Sequence, residues 1–201
     1  MPKQEVKFEF IEMRYEDWSP SGVAFSRQKL KKLDRYDREY IAKHGFIWHL
    51  AAHVWVVNPQ GEILFQQRSI NNRNFPGMWD ISAAGHVLAN ETIVEAAIRE
   101  TREELGLTIQ PEQLVEISRH NSSSGNHHLH TAFVCLLDVK IDDLEFTDGE
   151  VDSAKYIHWH DFAQMTEADL AEQNILNHKE FPALIHWCRE RFVPIKLKKA
   201  A

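Results

Sequence analysis

The chain reads as an α/β fold, a mixed β-sheet flanked by helices. Three observations predict it. Short runs of β-branched and aromatic residues alternate with polar turns along most of the length, one central helix is amphipathic and specified at both ends, and helical spacing recurs near both termini. With 201 residues there is enough chain for one domain with a sizeable core, and no internal repeat or low-complexity linker divides it.

Taken in order, residues 5–12 (Glu-Val-Lys-Phe-Glu-Phe-Ile-Glu) alternate as a strand. Ser26 to Lys43 is dense in charge and carries Leu30, Leu33, Tyr36, Tyr40 and Ile41 at helical spacing, which predicts an amphipathic helix laid on the domain with a solvated charged face. Phe46 to Val57 reads as a central strand, Asn58-Pro59-Gln60-Gly61 as a turn and Glu62 to Arg68 as the returning strand. A polar loop, Ser69 to Asn74, and a rigid segment, Phe75-Pro76-Gly77-Met78-Trp79-Asp80, lead into Ile81 to His86. After the central helix come a loop or helical turn (Pro111 to Leu114), a strand (Val115 to His120), a flexible tip (Asn121 to Asn126) and a longer strand (His127 to Val139). An acidic loop (Asp142 to Val151) precedes a strand from Ser153 to Trp159, Asp161 to Met165 opens a short helix, and Glu180 to Arg191 has helical spacing with Pro182 acceptable in a first turn. The expected organisation is an N-terminal extension (1–45), a domain core (46–165) and a C-terminal helical segment (166–201).

The stretch Gly85 to Leu107 organises the rest. Val94, Ala97, Ile98, Thr101 and Leu105 form one apolar stripe. Thr92 and Glu95 have the form of a capping box, and Gly106 followed by Leu107 suits a helix stop. Away from the stripe, Glu100, Glu103 and Glu104 stand at i, i+3, i+4 and share one face. Their mutual repulsion becomes attraction if a hard divalent cation with oxygen ligands sits among them.

Composition excludes several classes. Hydrophobic content of 43% with 26% charged residues is that of an ordinary globular chain. A formal net charge of -7 argues against general binding to nucleic acid or an anionic membrane surface, while leaving room for a small basic pocket for one phosphorylated molecule. No apolar run is long enough to span a bilayer and the first residues lack a signal-peptide pattern, so a cytoplasmic protein is expected. Cys135 and Cys188 have no metal-ligand spacing and read as core thiols.

The spacing Gly85, Glu91, Arg99-Glu100-x-x-Glu103-Glu104-x-Gly106-Leu107 resembles the signature of the Nudix hydrolases. Thr101 stands where that family usually has an aliphatic residue, a departure on the buried stripe. The resemblance implies an α/β/α sandwich and cleavage of a diphosphate linkage with Mg²⁺ or Mn²⁺ held by the helix. By that analogy Glu100 and Glu104 are metal ligands, Glu103 is a ligand or base, and the Gly85 carbonyl completes the shell. Arg99 would orient a metal-binding glutamate, Glu91 would support the loop, and Glu150 in the acidic loop is a candidate base.

A closer resemblance covers about residues 44 to 160. His49-Leu50-Ala51, Trp55, Asn58, Gly61, Arg68, Phe75-Pro76-Gly77-Met78-Trp79 and His86 look like the bacterial isopentenyl diphosphate isomerases, which share the Nudix fold. In those enzymes two histidines, matching His49 and His86, bind a metal beside a catalytic cysteine. Here that position is Ala84, and alanine cannot move a proton at an allylic carbon. The nearly complete glutamate signature instead resembles the isomerase-like subgroup of Nudix hydrolases. Among twelve histidines, His127, His128 and His130 open a strand expected to line the pocket. His128, with His49 and His86, is a candidate for substrate contact or for a second, imidazole-rich metal site. Arg68 and Arg73 are candidates to hold phosphate through guanidinium forks, and Trp79 to stack on the substrate or to join the core. The reading is a metal-dependent hydrolase of a small-molecule diphosphate, set against an isomerase and a non-catalytic diphosphate-binding module. A homodimer is common in the family, with the N-terminal extension available for its interface.

Overall fold

A computed structural model describes residues 9–30, 35–45, 48–122 and 127–193. Its strands are β1 (Phe10–Arg14), β2 (Pro20–Ser26), β3 (Trp48–Val57), β4 (Glu62–Arg68), β5 (Trp79–Asp80), β6 (Ala83–His86), β7 (Leu114–Ser122), β8 (His128–Leu136) and β9 (Val151–His158). The helices are α1 (Arg27–Leu30), α2 (Arg35–His44), α3 (Ile93–Leu105), α4 (Trp159–Phe162), α5 (Glu167–Glu172) and α6 (Phe181–Phe192), with short 3-10 turns at Pro111–Gln113 and Ile141–Asp143.

β3 is the axis of the sheet. It runs parallel to β8 from the pair His49↔His128 to the pair Val57↔Leu136. On its other edge it meets β4 at Val57↔Ile63, β6 from Ala51↔His86 to Val54↔Ala83, and β1 at its start. Past that first pair β4 turns away to bond β9 and β5, and β6 takes the place it leaves. A strand paired on both edges and covered on both faces needs continuous apolarity, which is why Val54, Trp55, Val56 and Val57 are all fully buried.

The two faces of β3 have different partners. Ala52, Val54 and Val56 point into a core with Ala96, Ala97 and Leu105 of α3, whereas Trp55 and Val57 point into a second core with Phe162, Leu170, Phe181, Leu184 and Cys188 from α4, α5 and α6. Helices therefore cover both faces of a mixed sheet, the α/β/α sandwich that the sequence predicts. Cys135 lies in the first core and Cys188 in the second; both are free, and burial pushes their thiols up to about 11 and about 12. A thiol reagent at mildly alkaline pH is expected to leave both untouched in the native protein and to modify both in guanidinium; ready labelling of the native protein would contradict this packing.

α3 forms as its sequence specifies. The Thr92 hydroxyl accepts from the Glu95 N–H while Glu95 accepts from the Thr92 N–H, and Gly106 closes the helix at φ +72°. Thr101 is fully buried, and its hydroxyl donates to the Ala97 carbonyl at 2.7 Å. That bond satisfies the one polar atom that departs from an aliphatic stripe.

Several elements differ from the expectation. β1 runs from Phe10 to Arg14, and it pairs directly with β3. β2 begins Pro-Ser-Gly, a turn-like start that hid a strand built on β1. The helix expected over 26–43 is seen as α1 and α2, with Ile41 buried against Met13; residues 31–34 lie outside the described residues, as do Glu5 to Phe8, Phe46, Ile47 and 123–126 of other expected elements. Ile81 to His86 is not one strand: Asp80 Oδ1 accepts from the Ile81 N–H, and between β5 and β6 the Ser82 hydroxyl donates to the Leu64 carbonyl and accepts from the Val56 N–H. α5 went unseen since Leu170 is its sole buried residue. Trp159, expected to end a strand, opens α4.

Candidate active site

The acidic face of α3 is ordered by one arginine. Arg99 Nε donates to Glu91 Oε1 at 2.8 Å, and Nη2 donates to Glu91 Oε2 at 3.0 Å and to the His86 carbonyl at 2.8 Å. Nη1 donates to Glu100 Oε1 at 2.7 Å and to Glu103 Oε2 at 3.2 Å. Glu91 in turn accepts from the Leu88 N–H at 2.9 Å, so it braces the loop before the helix. Arg99 thus ties Glu91, Glu100 and Glu103 together behind the acidic face.

The three glutamates are not equivalent. Glu104 is only 5% exposed, and its Oε2 accepts from Gln66 Nε2 at 3.0 Å and from the Ala84 N–H at 2.9 Å, leaving Oε1 for a ligand. Burial raises its carboxyl well above the usual range, and the charge of Glu100 adds to this. Burial likewise lifts Glu100 to about 7 against the pull of Arg99. Glu103 is the most open of the set. Gly85 lies directly under Glu100, and a Cβ at Gly85 would overlap that carboxylate. Carboxylates on one helix face, two of them, Glu100 and Glu104, with their charge disfavoured by burial, beside a bare backbone cradle, make a donor set that fits a hard divalent cation. Removing Arg99 should leave Glu91, Glu100 and Glu103 facing one another unpaired. Arg99→Ala is expected to cost about 2–3 kcal/mol in denaturant unfolding, less than for a fully buried pair, and Arg99→Lys to recover little of it because one ammonium cannot serve that fork.

Glu150 is exposed. Its carboxylate is 4.0 Å from Arg27 Nη2, while its backbone carbonyl accepts from the Ser69 N–H and from Asn72 Nδ2, both at 2.8 Å. Its charge and that of Asp148 add to the raised carboxyl of Glu104. Arg27, at the start of α1, is the basic residue that sequence reasoning missed. Burial disfavours its charge, but Glu9 at 2.9 Å, Glu150 and Glu100 outweigh this and hold it cationic.

Arg68 and Arg73 sit in different surroundings. Arg68 is tied at 3.0 Å to Asp80 Oδ2 and at 3.1 Å to the Asn74 carbonyl. Arg73 is exposed in the loop and makes no ion pair among the described residues. Trp79 packs its ring against the second core, with Lys155 Nζ 4.2 Å from the ring centroid.

The histidines gather on the other face of the sheet. Because β6 alternates, Gly85 turns to Glu100 while His86 stacks on His49, ring centroids 5.0 Å apart. His128 stands edge-on to His49 at 4.4 Å. One nitrogen or more from each of His49, His86 and His128 lies within 4.8 Å of the others. His49 Nδ1 and His128 Nε2 are buried without a hydrogen-bond partner, and burial with neighbouring imidazoles pushes His49 to about 2 and His128 to about 4. Uncharged rings presenting bare lone pairs fit a metal ion better than they fit a phosphate.

Residues 47–181 match the NUDIX domain family. The chain belongs to that family. An uncharacterised Nudix hydrolase of Listeria innocua is 34% identical over 113 residues, 54% of this chain and 63% of its own length. An isopentenyl-diphosphate Delta-isomerase of Escherichia coli is 37% identical over 67 residues, 33% of this chain and 37% of that protein. The chain spans less than two thirds of the length of these curated relatives. A crystal structure of a Deinococcus radiodurans protein superposes with a TM-score of 0.61 at 19% identity, covering 90% of this chain and 99% of the other, and so shares its fold.

Within this Nudix chain the isomerase position stays without a thiol. Ala84 gives its N–H to Glu104, and both cysteines are enclosed in the two cores.

Proposed function

We propose that this chain is a divalent-cation-dependent Nudix hydrolase that cleaves the diphosphate linkage of a small phosphorylated metabolite in the cytoplasm. The reading rests above all on the cradle in which Gly85 meets Glu100 beside Glu103 and Glu104, with Arg99 fixing the side chains from behind. Magnesium or manganese bound there screens the diphosphate charge and lowers the pKa of a bound water.

The chain's own groups do the rest. Glu100, Glu103, the open oxygen of Glu104 and the Gly85 carbonyl would hold the cation, while Arg99 keeps Glu100 and Glu103 from other contacts. Arg27 at the start of α1, paired to Glu9 and 4.0 Å from Glu150, is the cation offered to a phosphate oxygen. Arg68, anchored by Asp80, shapes the neighbouring loop, and Arg73 extends from it toward solvent. Glu150, exposed in the acidic loop, would be the acceptor for a proton from water. His49, His86 and His128 would hold a second cation on the other face of β6, a role that the unpartnered His49 Nδ1 and His128 Nε2 favour.

The test is phosphate release from nucleoside diphosphate sugars, dinucleoside polyphosphates, thiamine diphosphate and prenyl diphosphates, with Mg²⁺, Mn²⁺ or chelator. Cation-dependent cleavage of one class supports the hydrolase and names its substrate. Thermal stabilisation by one compound without turnover of any would replace it with a binding module.

A further inference from the structure

A second group of donors lies deeper on the histidine face and belongs to neither cluster described so far. Glu180, at the start of α6, is 1% exposed, and its Oε1 is 2.6 Å from His53 Nδ1 on β3. Its other oxygen, Oε2, is buried without a hydrogen-bond partner; the nearest cationic candidate, His120 Nε2, stands at 3.6 Å. His178 completes the group, and one donor atom from each of His53, His178 and Glu180 lies within 4.8 Å of the others.

Both imidazoles have their far nitrogen already held. His178 Nε2 is 2.8 Å from Asp80 Oδ1, and His53 Nε2 is 2.8 Å from His130 Nδ1. A carboxylate or ring on the far nitrogen, fixing tautomer and orientation, is the support that metal-bound histidines usually have. We propose that His53, His178 and Glu180 form a site for one divalent transition-metal ion, separate from the carboxylate site on α3.

Two nitrogens and one carboxylate oxygen suit zinc and its first-row neighbours, not magnesium, so the two faces of the sheet sort cations by hardness. On binding, the proton shared by His53 Nδ1 and Glu180 Oε1 leaves to solvent and the ion takes its place. Ligands on one zinc stand about 3.3 Å apart, so the 2.6 Å contact of Glu180 with His53 has to open and donors up to 4.8 Å apart have to close around the ion. His178 has 18% of its side chain exposed, which gives the ion its way in. The ion would pin the start of α6 to β3, joining residues far apart in the chain.

The experiment is a Co²⁺ titration of the chelator-stripped full chain, read by visible d–d absorption and metal analysis, in a His49→Ala background that removes the other imidazole group. One tightly bound equivalent is expected, lost in His178→Ala and in Glu180→Gln, with circular dichroism confirming that each variant folds. His178→Ala also leaves Glu180 paired to His53, so it keeps the test open if Glu180→Gln fails to fold. No bound cobalt in the His49→Ala chain, or an undiminished equivalent after His178→Ala, overturns the site. Hydrolysis at α3 can stand or fall on its own panel, whichever result is obtained.

Discussion

Glu104→Gln is expected to lower cation-dependent turnover by about 10³-fold while leaving the ion-free protein as stable as before or more so. The two halves of the expectation have one cause. Glu104 is held by Gln66 and by the Ala84 N–H in a buried setting that disfavours its charge. An amide of the same shape keeps an oxygen for the Ala84 N–H and removes the buried charge, so the thermal midpoint should hold or rise by a few degrees. It presents no anionic oxygen to a cation, so turnover falls. Glu103→Gln tests the same face from its open side, where less is at stake for the fold. Near-normal turnover in both variants would sink the assigned mechanism, and a collapse of Glu104→Gln on heating would sink the account of its burial.

What could be read from the sequence was local. The caps of α3, its apolar stripe and its acidic face all repeat within one or two turns, so spacing alone placed Glu100, Glu103 and Glu104 together. His49, His86 and His128 came from a resemblance to a family, and only strand pairing shows that they meet, since β3, β6 and β8 bring them from three segments. Glu180, His178 and Asp80 carried no signal. They reach His53 or one another across long stretches of chain, and a lone acid before a helix reads as a solvated charge. Arg27 was hidden in a run of charges, where a solvated face is the ordinary outcome, and its pairing with Glu9 and its approach to Glu150 come only from long-range packing. The contrast between Arg73 and Arg27 makes the same point: both are basic residues, and long-range packing decides that Arg27 meets Glu9 and Glu150 while Arg73 is exposed.

Gly85→Ala is expected to cost at least about 10² in turnover, although it adds a single methyl group. The backbone at Gly85 is not in the left-handed region, so no conformational strain opposes the alanine. The obstacle is a neighbour. The new Cβ would fall inside the Glu100 carboxylate, and that carboxylate is held from behind by Arg99 at 2.7 Å. Either Glu100 breaks from Arg99 and swings out, or β6 lifts from α3; both move an oxygen that the cation needs. The double variant Gly85→Ala with Glu100→Asp separates these outcomes. Shortening the side chain by one methylene withdraws the carboxylate from the clash, so if the clash is the whole defect the double variant should turn over faster than the sum of the single losses predicts. Strict additivity of the two losses would mean that the methyl group acts elsewhere, and the close approach of Gly85 to Glu100 would then have no part in holding the cation.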